Sequence, residues 1–444
     1  MSNENETPCH LGALAPELLD SIFWEIDSVC ALANFITTAR FVNLRFELQK
    51  RTIIFRVLQN ELGPVLTDAR FLFLFPYTDP ADQGYYDWIH IMAEVYRDML
   101  GINRKEEPGG RVRADAVPSL GELTKLCHTL HEINFLANTY IAAQLHSFGG
   151  EGVTYPMIPT TAPPSCVERL RVLRAFYRRQ IVSNAYAPTS RPTQTWVDDD
   201  SVAISNTSDH RGLRLGLFAA FEPWELQQID HVNHFLTRLC SALRIAGEEA
   251  LAKSSPEWLE GETRPINSSG FGVIFSYATE LVWYMRKHPD LVDAALRGLL
   301  PLPVPGGSDN PPCIPRNIIV DFVQPYSLLC LTYAWQQDRF QNLPDPVRDK
   351  LEEEGAAIEF VADAVDLAPF GWVDALDGRY VNWFGEGLDS VPSLRPGNED
   401  MFRQRFINGE LWRGAGFSLW DKSRVEAIKR LDWLKSVRTG WIMH

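Results

Sequence analysis

The sequence is short of the features that would announce a chemistry. Its seven cysteines, Cys9, Cys30, Cys127, Cys166, Cys240, Cys313 and Cys330, are odd in number and scattered, and no two have Cys-x-x-Cys spacing. That pattern excludes a disulfide framework and a zinc ribbon, and it points to a reducing compartment, cytoplasmic or nuclear. Basic residues are outnumbered, 42 Lys and Arg against 57 Asp and Glu, for a net charge of −15. Phosphate backbones and anionic lipid surfaces need concentrated positive charge, so neither nucleic acid nor a membrane is an expected partner. No apolar run approaches the length of a membrane span. The opening MSNENETPCHLG lacks the basic and apolar regions of a secretory signal, and residues 1–13 read as a flexible tail.

Catalytic signatures are missing too. There is no Gly-Lys-Ser/Thr phosphate loop, and Gly270-Phe271-Gly272 lacks the third glycine and the preceding strand of a dinucleotide site. There is no Gly-x-Ser-x-Gly elbow. No Cys or Ser is placed beside a His and a carboxylate. No repeat of fixed period exists, which removes leucine-rich repeats and propeller blades. The expectation is a binding protein, not an enzyme, with no cofactor.

What is present is amphipathic helix. With 444 residues and 45% hydrophobic side chains, the chain has material for two or three globular domains. Apolar residues recur at three- and four-residue steps over Lys50–Leu62, Tyr85–Leu100, the run 119–148, Val167–Tyr186 and the run that Pro223 opens. Gly63 and Pro64 stop the first of these. Ser119 and Glu122 form a capping box before Leu123, Leu126, Leu130, Ile133, Ala137 and Ile141. Further helices are expected over 271–286, 289–300, 318–337 and 346–365, and at the end of FSLWDKSRVEAIKRLDWL, capped by Asp421 or Ser423. From about Asp366 the texture changes, and six of the thirteen tryptophans follow it. The expected architecture is all-α: a small helical module at 14–62, a large irregular helical domain at 63–365, and an aromatic-rich segment at 366–444 packed on that domain.

The most informative stretch is LAPELLDSIFWEIDSVCALANFITTARFVNLRF, residues 14–46. Leu18, Leu19, Ile22, Phe23 and Ile26 have helical spacing, and Pro16 suits a first turn, where its missing N–H costs nothing. Asp27 and Ser28 break the pattern and can cap a second helix carrying Cys30, Leu32, Ala33, Phe35 and Ile36. This stretch resembles an F-box. Leu14, Glu17, Leu18, Leu19, Ile22, Phe23, Asp27, Leu32, Thr38 and Arg40 fall on matching positions. Ala15 stands at the motif's Pro, with Pro16 one residue later; Ile26 replaces its late Leu and Ala39 its Cys. The resemblance implies an apolar surface formed or supported by Leu14, Pro16, Leu18, Leu19, Ile22, Phe23 and Leu32. That surface would bind a Skp-type adaptor and so recruit a cullin–RING ubiquitin ligase to an unknown protein substrate. It requires that part of the Leu18/Leu19/Ile22 stripe be exposed. An ordinary helical hairpin with the stripe wholly buried is the other reading.

Three more stretches, ERLRVLRAFYRRQIVSNAY, FEPWELQQIDHVNHFL and GFSLWDKSRVEAI, resemble large fungal F-box-like proteins, in which an Arg-rich helix, a Phe-x-Pro-Trp-Glu start and a Trp-Asp-x-x-Arg helix follow one another in this order. Arg171, Arg174 and Arg178 on the Arg-rich helix could hold a phosphate or an acidic peptide. They could equally pair with internal carboxylates such as the Asp198–Asp200 run, or be solvated. His128 and His131 on one helix and His231 and His234 on another have His-x-x-His spacing. Two such helices face to face could take a metal, and a metal-binding helical enzyme using both pairs is the further alternative, but the spacing alone is too weak to assign a metal.

Overall fold

The computed structural model describes residues 14–74, 85–101, 117–149, 162–186, 217–222, 360–376 and 416–428, with scattered positions between 224 and 239 and Met285 and Arg286. The tail 1–13, the linker 104–116, the acidic run at 198–200, the helices expected over 289–300, 318–337 and 346–359, and most of the C-terminal segment lie outside the described residues. The fold is all-α: among the described residues every regular element is a helix and there is no strand. No described helix is long and apolar enough to cross a membrane.

The helices, in chain order, are α1 (Pro16–Glu25), α2 (Val29–Thr37), α3 (Arg40–Leu62), α4 (Leu66–Leu74), α5 (Tyr85–Leu100), α6 (Leu120–Gly149), α7 (Cys166–Tyr186), α8 (Phe370–Leu376) and α9 (Lys422–Ile428). Single 3-10 turns occur at Gly63–Val65 and Leu217–Ala220. The chain divides into two compact units, one within Met1–Arg70 and Arg104–His131, the other within Phe71–Asn103 and Glu132–His444.

In the first unit α1 and α2 both pack on the long helix α3. Leu19, Phe23, Leu32, Val42, Phe46, Ile53 and Val57 form its core, with Phe23 edge-on to Phe35 at 5.3 Å. Full burial of side chains this size contributes roughly 1.5–3 kcal/mol each, before the entropy of ordering is subtracted. Local chemistry sets the helix ends. Pro16 takes the first position of α1, and Ser28 caps α2 by accepting from the Ala31 N–H at 3.2 Å. α3 then returns to close both turns. Its Asn60 amide donates to the carbonyls of Trp24 (2.8 Å) and Ile26 (2.9 Å), and its Glu61 carboxylate accepts from the Val29 N–H at 2.8 Å. Gly63, at φ 49°, ends α3 in the left-handed region that glycine tolerates.

The chain outside 14–62 also contributes to this unit. The chain continues through the 3-10 turn into α4, and Arg51 reaches the backbone carbonyls of Pro118 (2.7 Å) and Val117 just ahead of α6. The expected capping box opens α6: the Ser119 N–H donates to Glu122 at 2.6 Å, and the Glu122 N–H donates to the Ser119 hydroxyl at 3.3 Å.

Aromatic rings cluster in the described part of the second unit. Phe71 stacks on Tyr96 at 4.3 Å, and Tyr96 meets Phe221 edge-on at 5.8 Å. Tyr140 of α6 lies among Phe176, Phe235 and Trp420, parallel to the Trp420 ring at 6.1 Å. Helix was expected to run to Val365, but residues 360–369 are loop and turn ahead of α8.

Candidate functional site

The residues singled out at α1 separate into two groups. Leu19 (5% exposed), Phe23 (0%) and Leu32 (4%) point into the first unit's core. Leu18 is 53% exposed, Pro16 is exposed, and Leu14 and Ile22 are half-buried. On a helix, neighbours in sequence point about 100° apart, so one Leu-Leu pair supplies both a core residue and a surface residue. α3 adds two more apolar side chains to the unit's surface, Leu44 at 58% and Leu48 at 76% exposed.

The seating of α1 is fixed by charge. Asp20 accepts a bidentate pair of hydrogen bonds from Arg45 (2.7 Å at Nε) and one from Gln49 at 3.2 Å. The Arg45 hydrogen bonds hold the Asp20 carboxyl below its ordinary range, against the opposing effect of desolvation. Gln49 lies at a break in α3, with φ −127° and ψ 18°, so the helix bends where its side chain reaches across to α1.

The Arg-rich face of α7 is interior. Arg171, Arg174 and Arg178 are 0%, 2% and 2% exposed. Arg171 donates to Asp421 (3.2 Å) and to the carbonyls of Ala364 (3.0 Å) and Trp420 (3.3 Å), with Asp363 at 3.7 Å. Arg174 donates to Asp366 (2.6 Å) and to the Val365 carbonyl (3.1 Å). Arg178 pairs with Glu225 at 2.6 Å and lies over the Phe221 ring, 5.2 Å from its centre. The carboxylates are internal, as one of the two sequence readings had it, but they belong to segments far along the chain.

Glu168 and Arg424 complete the lattice. Glu168 receives both forks of Arg424 (2.8 and 2.9 Å) as well as the N–H groups of Ser165 (2.9 Å) and Asp421 (3.0 Å). Ser165 in turn caps α7 by accepting from the Glu168 N–H at 3.1 Å. Asp421 occupies the residue before α9, the position expected of a cap, yet its carboxylate is engaged by Arg171 and the Ser165 hydroxyl. Asp363 takes over and accepts from the Lys422 N–H at 3.2 Å. Burial pushes the Asp421 carboxyl up, partly offset by the Ser165 hydrogen bond. Burial pulls the Arg171 guanidinium down, opposed by Asp421 and Asp363. Among the described residues four guanidiniums thus meet five carboxylates, and a partner reaches none of Arg171, Arg174 and Arg178 without opening this region. Sequence reasoning missed Glu168, although Ser165-x-x-Glu168 repeats the capping pattern recognised at Ser119.

The histidines do not assemble a metal centre among the described residues, where no group of three or more His, Cys, Asp or Glu side chains could hold an ion. His128 and His131 are exposed on α6; His231 is buried and edge-on to Phe417 at 5.1 Å; His234 lies outside the described residues. Burial pushes the neighbouring Cys127 thiol up to about 11, so it is a protonated, poorly nucleophilic group at neutral pH.

Compared with known proteins, the chain matches no family model, no curated protein and no solved structure.

Proposed function

We propose that the chain is an F-box-type adaptor: its first unit binds a Skp-like protein, and the remainder holds a substrate near a cullin–RING ubiquitin ligase. The observation that carries the reading is the division of the α1 stripe. Leu19 and Phe23 close a helical core while Leu18 stays 53% exposed, as docking to an apolar cleft requires. The work is done by proximity, and no catalytic residue is needed. Leu14, Pro16, Leu18 and Ile22 are the contacting side chains; Leu19, Phe23 and Leu32 hold them in place. The substrate is assigned to the second unit, and the buried arginines of α7 are structural within it.

The test is co-purification with a fungal Skp-type adaptor, comparing wild type with Leu18→Glu. A charge at position 18 reaches water, so the variant keeps its helical circular dichroism. A complex formed by wild type and lost in Leu18→Glu supports the reading. Folded wild type that forms no complex, or a Leu18→Glu variant that binds as well as wild type, refutes it and leaves a helical interaction protein with an F-box-like module.

A further inference from the structure

Leu18 and Asp20 lie symmetrically about Leu19, about 100° to either side of it on the helix. Hydrophobicity alone would turn the leucine inward and leave the carboxylate in water. α1 does the reverse: Leu18 is 53% exposed and Asp20 is half-buried. Taken together, Leu18, Leu19, Ile22, Phe23 and Trp24 point about 20° from Leu19 on the Leu18 side. The two that are buried, Leu19 and Phe23, have their midpoint about 20° from Leu19 on the Asp20 side. The helix is rolled by about 40° from the mean direction of its own apolar side chains.

The groups that meet α1 on the Asp20 side are polar. Arg45 grips the carboxylate with two guanidinium nitrogens, and Gln49 adds its amide at 3.2 Å. Both stand on one face of α3, four residues apart, and α3 leaves helical geometry at Gln49 itself. A carboxylate half out of water is stable there while these bonds are made, so they oppose the roll that would bury Leu18.

We propose that Asp20 is a positioning residue: through Arg45 and Gln49 it holds α1 rolled so that Leu18 faces a partner. The docking half of this rests on the adaptor reading; the roll itself does not. Without the tether the apolar side chains settle on their mean direction. Leu18 then turns toward the core, and the docking side chain is withdrawn while the unit stays folded. A tether that merely added stability would do the opposite when removed, because a loosened α1 exposes position 18 more often.

Two measurements on the full-length chain test this. In Leu18→Cys, the rate at which iodoacetamide modifies position 18, read by peptide mass spectrometry, reports exposure at that position. Adding Asp20→Ala should slow the rate several-fold, and Asp20→Glu in its place should restore it, because the longer carboxylate still reaches Arg45. A rate that is unchanged or faster overturns the roll. In titrations against a fungal Skp-type adaptor, Asp20→Ala should weaken binding by about ten-fold, and that loss should vanish in a Leu18→Ala background, where Asp20 has no docking side chain to place. Equal losses in both backgrounds overturn the positioning role. Wild type that binds no adaptor refutes the adaptor reading, and the modification rate then decides the roll by itself. Should Asp20→Ala lose its native circular dichroism, Gln49→Ala, which removes one bond of the tether, takes its place with the same slowing expected.

Discussion

Replacing Glu168 by leucine tests whether the second unit is held by its buried charges. The Glu168 carboxylate is 1% exposed and accepts four hydrogen bonds, two from Arg424 and one each from the N–H groups of Ser165 and Asp421. Glu168→Leu leaves the Arg424 guanidinium, 4% exposed, without its bidentate acceptor. Arg424 keeps the Pro163 carbonyl at 3.1 Å, but removing one partner of a buried ion pair costs about 3–5 kcal/mol. Arg424→Met is milder. The carboxylate that remains keeps two backbone donors, and the loss is of charge-assisted bonds worth about 1.5–3 kcal/mol each. The double variant removes both charges together, so its cost should fall short of the sum of the singles by about 1–3 kcal/mol. Urea unfolding followed by tryptophan fluorescence reads this directly, since Trp420 is buried with the Arg424 guanidinium 5.5 Å from its ring. Because the chain has two units, the transition that moves with the variants is the one to compare. A double variant equal to the sum of the singles within about 0.5 kcal/mol would refute the coupling. A Glu168→Leu cost under about 1 kcal/mol would show that water reaches the site.

Other outcomes follow from single contacts. Leu19→Ala should lose about 2–5 kcal/mol by cavity formation, whereas Leu18→Ala should stay within about 0.5 kcal/mol of wild type in the same urea titration. Gly416→Ala places a methyl 2.2 Å from the Tyr140 hydroxyl at a backbone φ of +66°, so its thermal midpoint should fall; Gly121→Ala, with open space around it, should hold or raise stability by about 0.4–1 kcal/mol. Asp20, held below its ordinary value of 3.8 mainly by the Arg45 hydrogen bonds, contributes stability that is present above that value and lost as pH falls through its lowered one. Asp20→Asn should flatten that acid limb in a pH series of unfolding midpoints, and an unchanged limb would remove Asp20 from the account.

Much of the first unit is legible because its signals are local. The Pro16 start, the Ser28 cap, the Gly63 stop and the Ser119–Glu122 box each act within a few residues. The separation of Leu18 from Leu19 also follows from helical geometry once the core side is known. The bend at Gln49 is different, since nothing in its own neighbourhood marks it; its partner Asp20 is 29 residues earlier. The second unit is harder for the same reason on a larger scale. For the arginines at 171, 174 and 178 the spacing leaves partner binding, internal pairing and a solvated face all open, because charge ordinarily seeks water and nothing local names a buried acceptor. Their burial depends on carboxylates 47 to 250 residues further on, within segments that spacing alone assigned to a helix end or an aromatic tail.

That separation bears on the order of events at the ribosome. The bond between Arg171 and Asp421 spans 250 residues. At about 5–20 residues per second, synthesis takes roughly 12–50 s to deliver the second partner after the first. Arg178 meets Glu225 early, but through that interval Arg171 cannot be buried without being stranded, so the native seat of α7 stays incomplete while the rest of the chain emerges. Nascent chains that stop short of Asp421 should remain protease-sensitive along α7. The second unit is therefore committed to completing its fold late, after Asp421 has been made.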